Sequence, residues 1–323
     1  MTTISPTLRG LAAALLALPL LAQAAYPDKI ITLVVPYPPG GATDTIARKL
    51  MEPLGKRLGQ TVIVENRAGA GTAIGATAVA KAPADGYTLL ISSNTTFTVN
   101  AAIKRNLPYD PQKGFESIGT IGSSPLVLLA HPKVAASNLK ELVALSKREP
   151  NGLNFGSFGN GTTAHLAGEM LKVMAGANLV HVAYKGSAPA MTDLIGGQIP
   201  LTFDTNVAAM PQIAAGKVKA LAVTSQRRYG QLPDVPTVAE SGVPGYEMVP
   251  WIAIVAPRGL PEATRTALSK ALADTVNDPA TRAELEKIGV DVAYEPGSSY
   301  DTRVARELPL LRAYVHKANI PLE

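Results

Sequence analysis

Ile30-Ile31-Thr32-Leu33-Val34-Val35-Pro36-Tyr37-Pro38-Pro39-Gly40-Gly41-Ala42-Thr43-Asp44-Thr45-Ile46-Ala47-Arg48-Lys49-Leu50 decides how this chain is read. The apolar, β-branched run Ile30–Val35 predicts a buried strand, and the residues from Thr45 onward begin an amphipathic helix. Between them Pro36–Gly41 is a tight turn. The first N–H groups of a helix lack intrahelical partners, and the helix dipole adds partial positive charge there. Glycine lets a ligand approach the backbone with no Cβ in the way. A strand, a Gly-Gly turn and a helix start therefore make a place for a carboxylate or phosphate that needs no Lys or Arg.

Outward from this stretch, strands and helices alternate. Ile46, Leu50, Leu54 and Leu58 recur every four residues up to Gly59, with Pro53 expected to kink or split the helix. Strands are predicted over 61–64, 87–92, 126–130, 153–156, 180–183, 199–203, 221–224 and 251–256. Helices are predicted over 72–81, 139–147, 163–174, 188–195, 208–214, 261–277, 279–288 and 298–318, the last open to a break at Pro309. Such alternation implies mainly parallel sheets covered by helices, with ligands bound beyond the carboxyl ends of the strands.

The device recurs about 120 residues later. Gly156-Ser157-Phe158-Gly159-Asn160-Gly161-Thr162-Thr163 joins a strand to the helix carrying His165, again without a basic residue. Tyr184-Lys185-Gly186-Ser187-Ala188-Pro189 is a third helix start, with Pro189 suited to the first turn. The polar run Ser92–Thr96 after a strand is a fourth candidate. Each alone reads more readily as an ordinary capped turn, because glycine-rich turns are common; their joint presence in both halves favours one cleft between two lobes.

Met1–Ala24 places Arg9, an apolar stretch over 11–21 and Ala22-Gln23-Ala24 in the order of a secretory signal peptide. Its apolar run is too short to span a bilayer comfortably, and charges, Gly or Pro interrupt every later one. The expected mature chain starts near Ala25 and is exported. Removing the leader takes only Arg9 with it and lowers the net charge from +5 to +4. No basic run exceeds two residues, so nucleic-acid binding has no support. About 300 mature residues suit two domains, and 46% hydrophobic residues suffice for sizeable cores. With no cysteine, disulfides, Fe–S clusters and thiolate chemistry are excluded.

Enzyme signatures fail. Gly69-Ala70-Gly71-Thr72-Ala73-Ile74-Gly75 resembles a dinucleotide loop, but its last glycine falls one place late and no acid lies between Tyr87 and Tyr109. There is no nucleophile elbow and no H-E-x-x-H pair. His131, His165, His181 and His316 show no metal-site spacing. No cofactor and no metal is expected. An exported hydrolase using Asp44 and His165 is the residual enzyme reading.

The motif order resembles the substrate-binding proteins of tripartite tricarboxylate transporters, the Bug family. The matching pieces are Pro36–Asp44, Val64-Glu65-Asn66-Arg67-Ala68-Gly69-Ala70-Gly71, Ala84-Asp85-Gly86-Tyr87, Gly159–Glu169, Tyr184–Ala190, Leu232-Pro233-Asp234-Val235-Pro236-Thr237 and Pro244-Gly245-Tyr246-Glu247. They cover essentially the whole mature chain. Ala68 and Thr72 replace residues usual in the family, away from the expected ligand loops. The resemblance implies an α/β, two-lobed, hinge-closing periplasmic binding protein of the Venus-flytrap kind, type II-like, with two mainly parallel sheets. Lobe 1 is expected over 25–125 and 250–323, and lobe 2 over 126–249. A monomeric periplasmic receptor for a small carboxylate, delivering to integral membrane permease subunits, is implied. A ligand-sensing adaptor for a sensor kinase is the alternative.

Carried over residue by residue, the first-lobe loop comprises Tyr37, Pro39, Gly40, Gly41, Ala42, Thr43 and Asp44. The second-lobe loop comprises Gly156, Ser157, Gly159, Asn160, Gly161, Thr162, Thr163 and His165. Ser93, Asn94, Thr95, Tyr184, Lys185, Gly186, Ser187, Ala188 and Asp204 are expected as further cleft walls. Asp44 in a first turn also suits a cap and dipole partner, and Asp204 a buried acid bonded to backbone. His165 suits a packed or capping histidine as well as a ligand contact, and Tyr37 core packing as well as a ligand cover.

Overall fold

The computed structural model describes residues 26–317 and 319–322. The leader expected over 1–24 lies outside the described residues. The strands are β1 Ile31–Val35, β2 Val62–Asn66, β3 Thr88–Ser93, β4 Phe115–Ser123, β5 Leu126–Ala130, β6 Leu153–Ser157, β7 Leu179–Ala183, β8 Leu201–Thr205, β9 Lys219–Val223, β10 Trp251–Pro257 and β11 Asp291–Pro296. The helices are α1 Ala42–Leu58, α2 Ala73–Ala80, α3 Asn100–Ile103, α4 Leu139–Arg148, α5 Thr163–Ala175, α6 Ser187–Ile195, α7 Asn206–Ala214, α8 Glu262–Val276, α9 Pro279–Lys287 and α10 Ser298–Lys317.

Two sheets result, in the orders β2-β1-β3-β10-β4-β11 and β7-β6-β8-β5-β9. They are mixed rather than mainly parallel. The triplets β2-β1-β3 and β7-β6-β8 are parallel, and every other pairing is antiparallel. The reason lies in how the chain passes between the sheets. It leaves the first by β4, with only Ser124 and Pro125 before β5, and returns after β9 into β10. Strands β5 and β10 start at this crossing and must run away from it, against the strands whose carboxyl ends point toward it. The crossing is stitched by Ser124 N to Pro250 O (2.9 Å) and Thr224 N to Leu126 O (2.9 Å).

Alternate residues of β1 serve two cores: Leu33 and Val35 pack with Ile46, Leu50 and Leu54 of α1, whereas Val34 packs with Phe97, Trp251 and Tyr300. In the second sheet Leu126 and Leu128 face α5, and Val127 and Leu129 face α6. Helix α10 straddles the two, with Tyr300 and Val304 in a first-sheet core and Leu308 and Val315 in a second-sheet core. Neither Pro53 nor Pro309 splits its helix. A missing N–H costs about 3 kcal/mol, and burial of Leu50 and Leu54 on one helix, and of Tyr300, Val304 and Leu308 on the other, offsets it. Gly59 ends α1 as expected, in the left-handed conformation at φ 71° with its N–H on Gly55 O.

Strand β4 escapes a period-two reading because its pairing with β10 slips at two irregularities. Its apolar residues Phe115, Ile118 and Ile121 are therefore all buried at a spacing of three.

Candidate functional site

Four helix starts converge on one small cavity between the sheets. Gly41, Ala42 and Thr43 come from the start of α1, Thr163 from α5, Ser187 and Ala188 from α6, and Thr205 from the residue before α7. Tyr37, Pro38, Pro39, Ser93, Ser124, Phe158, Pro250 and Ile252 complete the wall. The helices are 17, 13, 9 and 9 residues long, and α1, α6 and α7 begin without a side-chain cap. Among the described lining residues there is no Lys, Arg, His, Asp or Glu. The cavity holds about 40 Å³, room for a few water molecules. The wall is thus made of helix starts and hydroxyls, where the helix dipoles add partial positive charge, although the N–H groups of Thr163, Thr205 and Asn206 are taken by Thr95, Asp204 and Pro125.

The loop before α1 is held by Asp44 from behind. Its Oδ2 accepts from Gly40 N at 2.9 Å and Arg48 Nε at 3.0 Å, and its Oδ1 accepts from Asn66 Nδ2 at 2.9 Å. Asn66 also donates to Tyr37 O at 3.0 Å. Burial works to raise the Asp44 pKa, but Arg48, Gly40 N–H and Asn66 more than offset it and hold it below the ordinary carboxylate value. Tyr37 OH is bonded to Ser93 Oγ at 2.9 Å, and burial raises its pKa. Gly40, at φ +83°, is the position that requires glycine conformation; Gly41 is extended at φ −80°.

On the other side, Asp204 is fully buried behind the wall. Its Oδ2 accepts from Ser187 Oγ at 2.7 Å, and its Oδ1 from Thr205 N at 2.8 Å. Burial pushes its pKa up to about 7 against those bonds. The Thr205 hydroxyl lies against this carboxyl group but forms no hydrogen bond of good geometry.

The second-lobe loop is internally braced. Ser157 Oγ meets His181 Nε2 at 2.6 Å and accepts from Gly159 N at 3.1 Å. The His165 ring stacks on His181 with centroids 4.0 Å apart, and its Nδ1 accepts from Gly161 N at 3.2 Å. Burial first, then the charges of Lys172 and Lys104, depress the His165 pKa to about 4. The first N–H of α5 is taken across the cleft: Thr163 N donates to Thr95 Oγ1 at 3.2 Å.

The predicted site residues therefore separate into three groups. Tyr37, Pro39, Gly41, Ala42, Thr43, Ser93, Thr163, Ser187 and Ala188 line the cavity. Gly159, Asn160, Thr162, Tyr184 and Lys185 line an adjoining outer chamber of about 620 Å³. Gly40, Asp44, Asn94, Thr95, Gly156, Ser157, Gly161, His165, Gly186 and Asp204 line neither and shape the loops from behind. Asp44 and His165 sit on opposite sides with their own partners, so the pairing that the hydrolase reading needs is not formed.

Sequence reasoning missed Thr205, Ser124, Pro250 and Ile252 in the cavity, and in the outer chamber Lys104. Thr205 repeats the strand-end, helix-start device without a glycine to flag it. Ser124 and Pro250 become neighbours only through the sheet crossing. Ala68 and Thr72, expected to lie away from the ligand loops, in fact line the outer chamber with Asn160. Thr72 is held at φ +83°, rare for a β-branched residue, and its Oγ1 accepts from Thr96 Oγ1 at 2.8 Å and Asn100 Nδ2 at 3.1 Å.

Residues 46–319 match the sequence profile of the tripartite tricarboxylate transporter family receptor. Protein BugT of Bordetella pertussis is 40% identical over 235 residues, covering 72% of this chain and 72% of BugT. Rpa4515 of Rhodopseudomonas palustris, solved with adipate, is 34% identical and superposes with a TM-score of 0.88 over 92% of this chain and 99% of that one. MatC of the same organism, solved with bound malate, is 31% identical with a TM-score of 0.85, covering 90% and 100%. The chain belongs to the tripartite tricarboxylate transporter receptor family, whose members are periplasmic solute-binding proteins.

Proposed function

We propose that this member of the family is a monomeric periplasmic receptor that captures a small carboxylate between two hinged lobes and delivers it to a membrane permease. The single observation that carries the reading is the convergence of four helix starts on a cavity without a charged side chain. Fixed backbone donors meet an anion without the desolvation cost of buried guanidinium groups and with little reorganisation. The relatives solved with adipate and malate make dicarboxylates the first ligands to test. Lobe 1 is taken as 25–125 with 250–323 and lobe 2 as 126–249. Tyr37, Gly41–Thr43, Ser93, Thr163, Ser187 and Thr205 are the proposed contacts.

The test is a thermal-shift screen of the chain from Ala25 against a carboxylate library. A ligand at a hundredfold its Kd adds about 2.7 kcal/mol of stability, which a melting curve resolves. Small-angle scattering with a hit should show compaction, as hinge closure requires. No stabilisation by any carboxylate, or an unchanged radius at saturation, overturns the receptor reading. Ligand uptake by vesicles carrying the permease subunits should depend on added receptor, and the recovered ligand should be unaltered.

A further inference from the structure

A fully buried carboxyl group stands one hydroxyl away from the inner cavity. Ser187 lines that cavity, and its hydroxyl hydrogen is committed to Asp204 Oδ2 at 2.7 Å. Thr205 lines it too and gives its N–H to Asp204 Oδ1 at 2.8 Å. The Thr205 hydroxyl is buried without a hydrogen-bond partner. A hydroxyl carries one hydrogen and two lone pairs. While Asp204 is ionised, Ser187 therefore has only lone pairs left for the cavity, and these repel a carboxylate. Among the described lining residues no Lys, Arg or His balances a second negative charge beside Asp204. The elements packed against β8 supply few charges. Strands β5 and β6 and helix α7 carry no titratable side chain. Helix α6 carries Asp193, which accepts from Tyr184 OH at 2.7 Å, and the loop before it carries the exposed Lys185. Lys219 of β9 donates to Val134 O and Ala136 O, and Tyr37 of the first lobe is bonded to Ser93.

We infer that carboxylate capture in this cavity is coupled to the uptake of one proton by Asp204, a positioning residue that acts on the ligand through Ser187. The inference rests on the carboxylate-receptor reading above and adds to it a regulation: the pH range in which the site fills. The proton comes from solvent and goes to Asp204 Oδ2; no bond of the ligand is made or broken. The 2.7 Å contact then reverses. Asp204 Oδ2 donates to Ser187 Oγ, and Ser187 turns its own hydrogen toward the ligand. Thr205 N keeps its bond, because Oδ1 remains a carbonyl acceptor. Asp204 loses its negative charge as the ligand brings one, so the closed space never holds two. A nearby anion favours the neutral carboxyl, and ligand and proton strengthen each other's binding by the same factor. Burial already raises the Asp204 pKa to about 7, which sets the exchange near neutral pH.

The probe is adipate, then malate, then the strongest hit of the carboxylate screen. Isothermal titration in buffers of different ionisation enthalpy counts the protons taken up. With a free-state pKa of about 7, uptake should approach one proton at about pH 8 and fall toward none at about pH 6, and Kd should weaken about tenfold between the two. Asp204→Asn offers Ser187 a permanent N–H and so copies the protonated form. It should bind at about pH 8 as tightly as the wild type does at about pH 6, without proton uptake. Infrared difference spectra of the wild type at the higher pH need no variant. Binding should produce the C=O band of a protonated carboxyl, unmoved by isotopic labelling of the probe's carboxylates. A flat Kd without uptake overturns the coupling and leaves the receptor intact. Uptake that survives Asp204→Asn, or a carboxyl band that moves with the label, places the proton elsewhere and also overturns it. So does a folded Asp204→Asn variant that fails to bind. Failure of every carboxylate to bind the wild type at either pH overturns both readings.

Discussion

Gly71→Ala separates lobe closure from loop folding. Gly71 sits at φ 61° and ψ 43°. Placing alanine there costs about 1–2 kcal/mol whatever the lobes do. The second cost exists only when they meet: a Cβ on Gly71 would stand 2.6 Å from the backbone oxygen of Asn160, on the facing loop. Reaching an ordinary contact of about 3.4 Å requires a separation of roughly 0.8 Å. That loosens the neighbouring bond from Thr163 N to Thr95 Oγ1, already 3.2 Å. Overpacking of this kind typically costs about 1–3 kcal/mol. Because the open form does not feel it, the penalty falls on ligand affinity, a weakening of about 5- to 150-fold. Gly40→Ala is the control: its φ is +83°, and a Cβ there meets nothing within 4 Å. Titration of both variants with a carboxylate that stabilises the wild type reads the difference, and circular dichroism confirms the fold. Equal affinities within twofold in two folded variants would refute closure at this contact.

Asp44→Asn should lower stability by about 1.5–3 kcal/mol, the scale of charged hydrogen bonds, measured by urea unfolding. The folded pKa of Asp44 is depressed, so its contribution is complete above the unfolded pKa of about 4 and lost as pH falls through the folded value; the variant should show a flatter acid limb. His165 titrates near 4 when folded against about 6.5 unfolded, so stability is lost as pH falls from about 6.5 to 4. The unfolding midpoints of wild type and His165→Gln should approach one another across that window. Asp204 runs the other way. Its folded pKa of about 7 lies above the unfolded value of about 4, so its carboxyl favours the fold at low pH and loses that effect as pH rises to about 7. Asp204→Asn should gain on the wild type as pH rises through this range; a constant difference would show that Asp204 does not titrate there.

The triplet strands and the helices between them were legible because their patterns are local. In β1 Ile31, Leu33, Val34 and Val35 form an apolar run interrupted only by Thr32, and Leu50 and Leu54 mark one helix face; the antiparallel β5, Leu126–Ala130, is also an unbroken apolar run. What escaped depends on partners remote in sequence. Strand β4 hides its period because Ile118 and Ile121 fall at pairing irregularities with β10, more than 100 residues on. The antiparallel strands follow from the sheet crossing, which no local pattern announces. At the site, the loops were found by their glycines, yet residues within one loop could not be assigned. Thr163 and His165 lie two apart, and one faces the cavity while the other stacks on His181. Only the fold decides which side of a helix start is wet.

The glycines themselves take on a different meaning once the lobes are in place. Read locally, they are sites where a ligand meets backbone. In the structure several are sites where one lobe meets the other. A Cβ on Gly186 would stand 3.0 Å from Pro38 Cδ, one on Gly161 3.1 Å from Asn100 Oδ1, and one on Gly71 2.6 Å from Asn160 O. Gly41, by contrast, lines the cavity with its nearest obstacle at 3.8 Å, an ordinary contact. A helix start can bind an anion only as well as it is desolvated, because the field of its N–H groups is strong in a closed space and weak in water. Close approach of the two loops is what removes that water. Side chains at positions 71, 161 and 186 would hold the loops apart and leave four helix starts facing solvent. On the proposed receptor reading, Gly71, Gly161 and Gly186 therefore act on carboxylate affinity through the closed state, and Gly41 through contact with the ligand.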